Sequence, residues 1–112
     1  MSLFESQLNF RKFYRKSVAL SGEVLNLSLS TPVWRKMTVC DLSMSGLRFR
    51  MIESAFIEKD DKLHVKFNLE IKRSPLIEKE IIVRFANGNT YGCEFTNLAF
   101  EEKELGFFLF SQ

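Results

Sequence analysis

The chain has 112 residues, 46% hydrophobic and 27% charged, with a formal net charge of +2, a size and balance that fit one soluble domain around a single core. So little net charge argues against a general binder of polyanions, which needs a broad basic face. Two cysteines without a CxxC pair, Cys40 and Cys93, and one histidine, His64, are too few ligands for a zinc site.

In chain order, Ser2 to Phe10 carries weak helical spacing at Leu3, Phe4, Gln7 and Leu8, in a stretch too short to hold a helix without docking. Arg11, Lys12, Arg15 and Lys16 then place four positive charges in six positions. Residues 1–16 are therefore expected to form a flexible tail with a basic strap, and residues 17–112 a single barrel domain.

From Ser17 the apolar period becomes two: Val18 and Leu20, then Leu25, Leu27 and Leu29 on the opposite parity after Gly22. A parity change beside glycine predicts a bulge or bend there. Arg35 to Asp41 reads as a second strand, with Met37 and Val39 on one face, and Gly46 to Met51 as a third, with Leu47, Phe49 and Met51 inward. Lys62 to Ile71 alternates most regularly, with Leu63, Val65, Phe67, Leu69 and Ile71 inward. Glu78 to Phe85 and Thr90 to Thr96 read as a hairpin about Asn87-Gly88. Ala99 to Phe110 returns to helical spacing behind an acidic first turn. The sum is an all-β chain, a six-stranded antiparallel split β-barrel with a C-terminal α-helix. Most of the twelve phenylalanines fall on inward positions and read as core.

Between the second and third strands stands Asp41-Leu42-Ser43-Met44-Ser45-Gly46, which puts a carboxylate, two hydroxyls and a glycine where a plain sheet would carry Val or Ile. Such residues make a polar cup, because Asp and Ser favour turns and Gly tolerates positive φ. Arg11 and Arg15 form an RxxxR pattern that average composition produces in about one chain in four of this length. The DxSxxG pattern of Asp41, Ser43 and Gly46 is rarer, at roughly three chains per hundred. The pair in this order is chemically coherent for a guanine nucleotide. Arginine forks suit phosphate oxygens and the O6/N7 edge of guanine, while Asp41 can accept from the N1 and N2 protons.

RxxxR followed by DxSxxG at the joint of two strands resembles PilZ domains. Val83-Arg84, Tyr91-Gly92-Cys93-Glu94-Phe95 and Asn97-Leu98 are similar to that family's closing hairpin. The resemblance implies a six-stranded barrel that binds cyclic di-GMP (c-di-GMP) and relays the signal without chemistry. Carried over by position, Arg11 and Arg15 would grip guanine edges and phosphates, Asp41 and Ser43 would meet the bases, and Gly46 would give the ligand room. Phe10 stands where many members carry a further arginine that helps hold a stacked ligand pair. Lys12 or Lys16 could supply that charge, and Ser45 completes the secondary candidates. Binding would order the strap and signal to an unidentified effector protein, in a motility, polysaccharide-synthesis or regulatory system.

Neither cysteine has a histidine beside it in sequence, and no phosphate loop, GxSxG or helix-borne acidic pair occurs, so no enzyme, cofactor or metal is expected. No apolar run nears the roughly 20 residues of a membrane span and no signal peptide opens the chain, so a cytoplasmic location is expected. Two other functions compete: a PilZ-type adaptor working by protein contact without nucleotide, and a small barrel stacking single-stranded nucleic acid on Phe13, Tyr14 and Trp34.

Overall fold

The computed structural model describes residues 15–69 and 76–96. Six strands make up the fold: β1 (Lys16–Asn26), β2 (Arg35–Leu42), β3 (Gly46–Met51), β4 (Lys62–Asn68), β5 (Leu76–Asn87) and β6 (Thr90–Phe95). All pairings are antiparallel, and the order β1-β2-β3-β6-β5-β4 closes into a barrel where β4 pairs with β1. Closure leaves neither strand set with an unpaired edge. The helical segments expected over Ser2 to Phe10 and Ala99 to Phe110, together with Ile71, lie outside the described residues.

Inward positions follow the period-two pattern. Phe49, Phe67, Met37, Leu63 and Ile81 are all below 2% exposed and fill the barrel. Burying side chains of this size is worth roughly 1.5–3 kcal/mol each relative to leaving them in water. Lys79 takes an inward position on β5 and is buried with its Nζ 5.1 Å from the centre of the Phe95 ring.

Two local expectations are corrected. The parity does not flip at Gly22: Leu20, Val24 and Asn26 are buried, whereas Leu27 and Leu29 lie exposed in the loop after β1. Gly22 instead lets two strands approach, since a Cβ there would stand 2.5 Å from the Lys66 carbonyl oxygen of β4. The irregularity in β1 falls earlier, between Ser17 and Leu20. The hairpin between β5 and β6 also turns one residue later than expected. Asn87 pairs with Thr90, so its two loop residues are Gly88 and Asn89, and Gly88 has φ +64°. Positive φ at the first loop position is the requirement of a type II′ turn, which glycine meets without strain.

At the barrel end where β1 finishes, buried Asn26 ties two loops together. Its Nδ2 donates to the Phe56 carbonyl (2.8 Å) and to Asp61 Oδ2 (3.0 Å), and its Oδ1 accepts from Ser28 N–H (2.9 Å). These bonds explain how a polar side chain occupies an inward position. His64 is half-buried on the outer face beside Glu78, 3.1 Å away.

Candidate functional site

The site is built by three departures from regular pairing. Register shifts occur in β1 between Ser17 and Leu20, in the β2–β3 ladder between Val39 and Asp41, and in the β5–β6 ladder between Val83 and Phe85. Along β2, Met37 and Val39 point inward, so unbroken alternation would bury Asp41 as well. The extra residue Cys40 shifts the phase: Leu42 is buried and Asp41 turns to the outer surface. The extra residue Arg84 does the same for Phe85, which is 52% exposed although it follows the inward series Ile77, Lys79, Ile81 and Val83.

The result is one cross-strand row on the outside of the barrel. Ser17 pairs with Asp41, Asp41 with Arg48, Arg48 with Gly92, and Gly92 with Phe85, across β1, β2, β3, β6 and β5. A cavity of about 290 Å³ lies over it, lined by Arg15, Asp41, Arg48, Arg84 and Phe85 together with the Ser43–Gly46 turn.

The turn between β2 and β3 is shaped by its own hydroxyl. Ser43 Oγ accepts from the backbone N–H of Ser45 (3.1 Å) and Gly46 (3.2 Å) and donates to the Gly46 carbonyl (3.3 Å). Ser43 is buried, so its side chain holds the cup's form. Gly46 is set by a close approach: a Cβ there would lie 2.1 Å from the Cys93 carbonyl oxygen on β6. Its φ is not positive, so the glycine is required by the spacing of β3 and β6 and not by the turn conformation anticipated from sequence. Gly92 leaves space of another kind, taken up by the Phe85 ring.

Charge in the cavity is mixed. The Arg48 guanidinium, through Nε and Nη2, holds Asp41 Oδ2, and Ser17 Oγ donates to Oδ1 at 3.2 Å. Arg84 donates from Nε to Glu94 Oε1 at 2.8 Å, and its Nη1 lies 3.7 Å from Asp60 Oδ1. Three guanidiniums, those of Arg15, Arg48 and Arg84, thus reach a cavity whose own lining includes one carboxylate, Asp41. With Arg48 set against Asp41 and Arg84 against Glu94, the lining presents guanidinium donors beside a carboxylate acceptor. Beneath it Cys93 is buried, and burial pushes its thiol up to about 12, far from the thiolate a nucleophile needs. The half-buried Cys40 places its Sγ 3.6 Å from the Thr38 carbonyl.

The structure therefore gathers Arg15, Asp41, Ser43, Ser45 and Gly46 around one cavity. Lys16 opens β1 beside it, paired with Leu42. Phe10, Arg11 and Lys12 lie outside the described residues. Sequence reasoning missed Arg48 and Phe85, and it saw Arg84 and Gly92 merely as parts of a hairpin. Alternation from Val83 predicts Phe85 inward, and its place opposite Gly92 follows only from the shifted ladder register. Among the described residues no group of His, Cys, Asp and Glu could hold a metal ion, and no helix is long and apolar enough to cross a membrane.

The sequence matches the PilZ domain family over residues 9–111. The chain belongs to the PilZ domain family. The family is one of c-di-GMP receptors. No match was found among curated proteins. Solved structures that share the fold include the following three. The Bacillus subtilis inhibitor of motility MotI/DgrA superposes with a TM-score of 0.69 at 16% identity, over 88% of this chain and 49% of that one, so this PilZ domain spans about half of its length. The PilZ domain of CeSA from a cellulose-synthesizing bacterium gives 0.65 at 16% identity, covering 87% of this chain and 95% of that one. The PilZ domain of Escherichia coli YcgR, solved with c-di-GMP, gives 0.68 at 14% identity, covering 89% and 88%.

Proposed function

We propose that this PilZ domain binds c-di-GMP in the cavity beside the Asp41–Gly46 turn and relays binding to a protein partner, with no chemistry of its own. The observation that carries the reading is the meeting of Arg15, from the RxxxR motif, with Asp41, Ser43 and Gly46, from the DxSxxG motif, around one cavity. The β1–β2 register, with Lys16 opposite Leu42 and Ser17 opposite Asp41, carries the first motif to the second. In this reading Arg15 and Arg11 present their forks to phosphate and the O6/N7 edge, and Asp41 accepts from the N–H edge of guanine. Ser43 keeps the turn in shape, Gly46 lets β3 lie close to β6, and the exposed Phe85 ring offers a face for a purine.

A ligand held by both motifs joins the segment before β1 to the barrel wall. Docking of the strap from Arg11 to Arg15 against the barrel is then the conformational signal, read by an effector protein that binds the docked form better. Trp34 weighs against the nucleic-acid alternative: it precedes β2, at the far end of that strand from Asp41, and its ring is already engaged by Lys66 Nζ at 4.2 Å and edge-on by His64.

Calorimetric titration with c-di-GMP, GTP and a short single-stranded oligonucleotide tests the reading. Saturable binding of c-di-GMP with GTP and oligonucleotide weak or silent supports it. Heat from the oligonucleotide alone, or from none of the three, rejects it.

A further inference from the structure

Among the described residues Asp41 is the one acidic side chain on the cavity wall, and two neighbours fix it. Arg48 sits directly across from it on β3 and takes Oδ2 with Nε and Nη2; Ser17 sits directly across on β1 and donates to Oδ1. The carboxylate is thus gripped from both adjacent strands, one donor group on each oxygen. A carboxylate oxygen has two lone-pair sites: the two N–H groups of Arg48 fill those of Oδ2, and Oδ1, with Ser17 on one, keeps the other for a further donor. An aspartate alone on a strand would exchange among its χ rotamers. Here the flanking strands supply the fixing, and the extra residue Cys40 brings Asp41 into line with both partners.

We infer that Arg48, assisted by Ser17, is a positioning residue that fixes the Asp41 carboxylate with Oδ1 left to accept from the ligand and so selects a base whose ring edge carries an N–H donor, as guanine N1 does and adenine N1 does not. The inference rests on the c-di-GMP reading and deepens it. The Asp41 and Arg48 side chains are 22% and 44% exposed, so water screens the pair in the free protein. A base seated over Asp41 removes that water, and the grip strengthens with the ligand in place. Arg48 lies outside both motifs and pairs through the barrel's register, so the motifs alone give no reason to weigh it.

The test is a double-mutant cycle on the full chain, with c-di-GMP and cyclic di-AMP as titrants. Arg48→Ala is expected to weaken c-di-GMP binding roughly tenfold, and Arg48→Lys to recover part of that loss. In the Asp41→Asn background, Arg48→Ala should cost less than about twofold further, because its partner is gone, whereas with Arg15→Ala the losses should multiply. The preference for c-di-GMP over cyclic di-AMP should narrow in Arg48→Ala. A merely structural Arg48 would lower the melting temperature and leave the preference and the coupling unmoved. If the parent binds c-di-GMP and Arg48→Ala matches it, or if the Arg48 and Asp41 losses multiply, the positioning role is overturned while the function stands. A parent that does not bind c-di-GMP overturns the functional reading and this inference with it.

Discussion

Phe85 occupies the space that a side chain at Gly92 would need: a Cβ built on Gly92 would lie 1.9 Å from Phe85 Cε1 and 2.4 Å from Cζ. The aromatic ring is thereby seated on bare backbone at the cavity wall while remaining half exposed. An exposed ring held from below is a surface on which a purine can stack, and its removal takes little from the core.

Phe85→Ala is accordingly expected to leave the urea midpoint nearly unchanged and to weaken c-di-GMP binding by about 1–3 kcal/mol, the usual worth of base–aromatic stacking. Phe85→Trp should bind at least as well as the parent. Calorimetry on the two variants decides it, and a Phe85→Ala variant with parental affinity removes the ring from the site.

The two site glycines should fail differently. At Gly46 an added methyl meets backbone, the Cys93 carbonyl oxygen at 2.1 Å and Glu94 Cα at 3.1 Å, so β3 and β6 must separate. Gly46→Ala should destabilise by on the order of 3 kcal/mol, read as a lower urea midpoint at unchanged slope. At Gly92 the obstacle is a side-chain ring that can swing away. Gly92→Ala should therefore cost less stability than Gly46→Ala and act mainly by displacing Phe85 and weakening ligand binding.

Asn26 offers the opposite contrast, stability without binding. Replacing it with Leu leaves the Phe56 carbonyl and Asp61 Oδ2 without its two donated hydrogen bonds, at the other end of β1 from Ser17. A loss of about 1–3 kcal/mol in urea unfolding is expected, with c-di-GMP affinity unchanged where the variant is folded.

Cys93 gives the barrel an alkaline signature. Its thiol titrates at about 12 when folded against 9.0 unfolded, through burial. The folded state keeps the proton longer, so this contribution is intact below pH 9 and is lost as pH rises from 9 towards 12. Stability measured by urea denaturation across that window should fall less steeply for Cys93→Ala than for the parent. In the native parent at pH 8, iodoacetamide should spare Cys93.

Much of this fold was legible because the inward residues of β3 and β4 alternate without interruption. Leu47, Phe49, Met51, Leu63, Val65, Phe67 and Leu69 are all buried as their spacing requires. The β1 phase was misread because Leu25, Leu27 and Leu29 mimic alternation, while the strand ends at Asn26, a buried amide satisfied by distant loops. Composition cannot show that a polar residue will find partners 30 or more positions away. At the site, both motifs were visible and converge, but Arg48 and Phe85 were not, because each owes its place to ladder register and a bulge. Bulges leave weak traces in sequence: Cys40 and Arg84 are ordinary strand residues until their partners across the sheet are known.

The most direct test of the central claim is titration of isotopically labelled protein with c-di-GMP, followed by amide chemical shifts. Saturable changes concentrated at Asp41 to Arg48, Arg84, Phe85 and Gly92, with Trp34, Ile52 and Phe56 unmoved, are the expected result. Changes centred on Trp34 and Ile52, or a spectrum indifferent to c-di-GMP, would contradict the assignment.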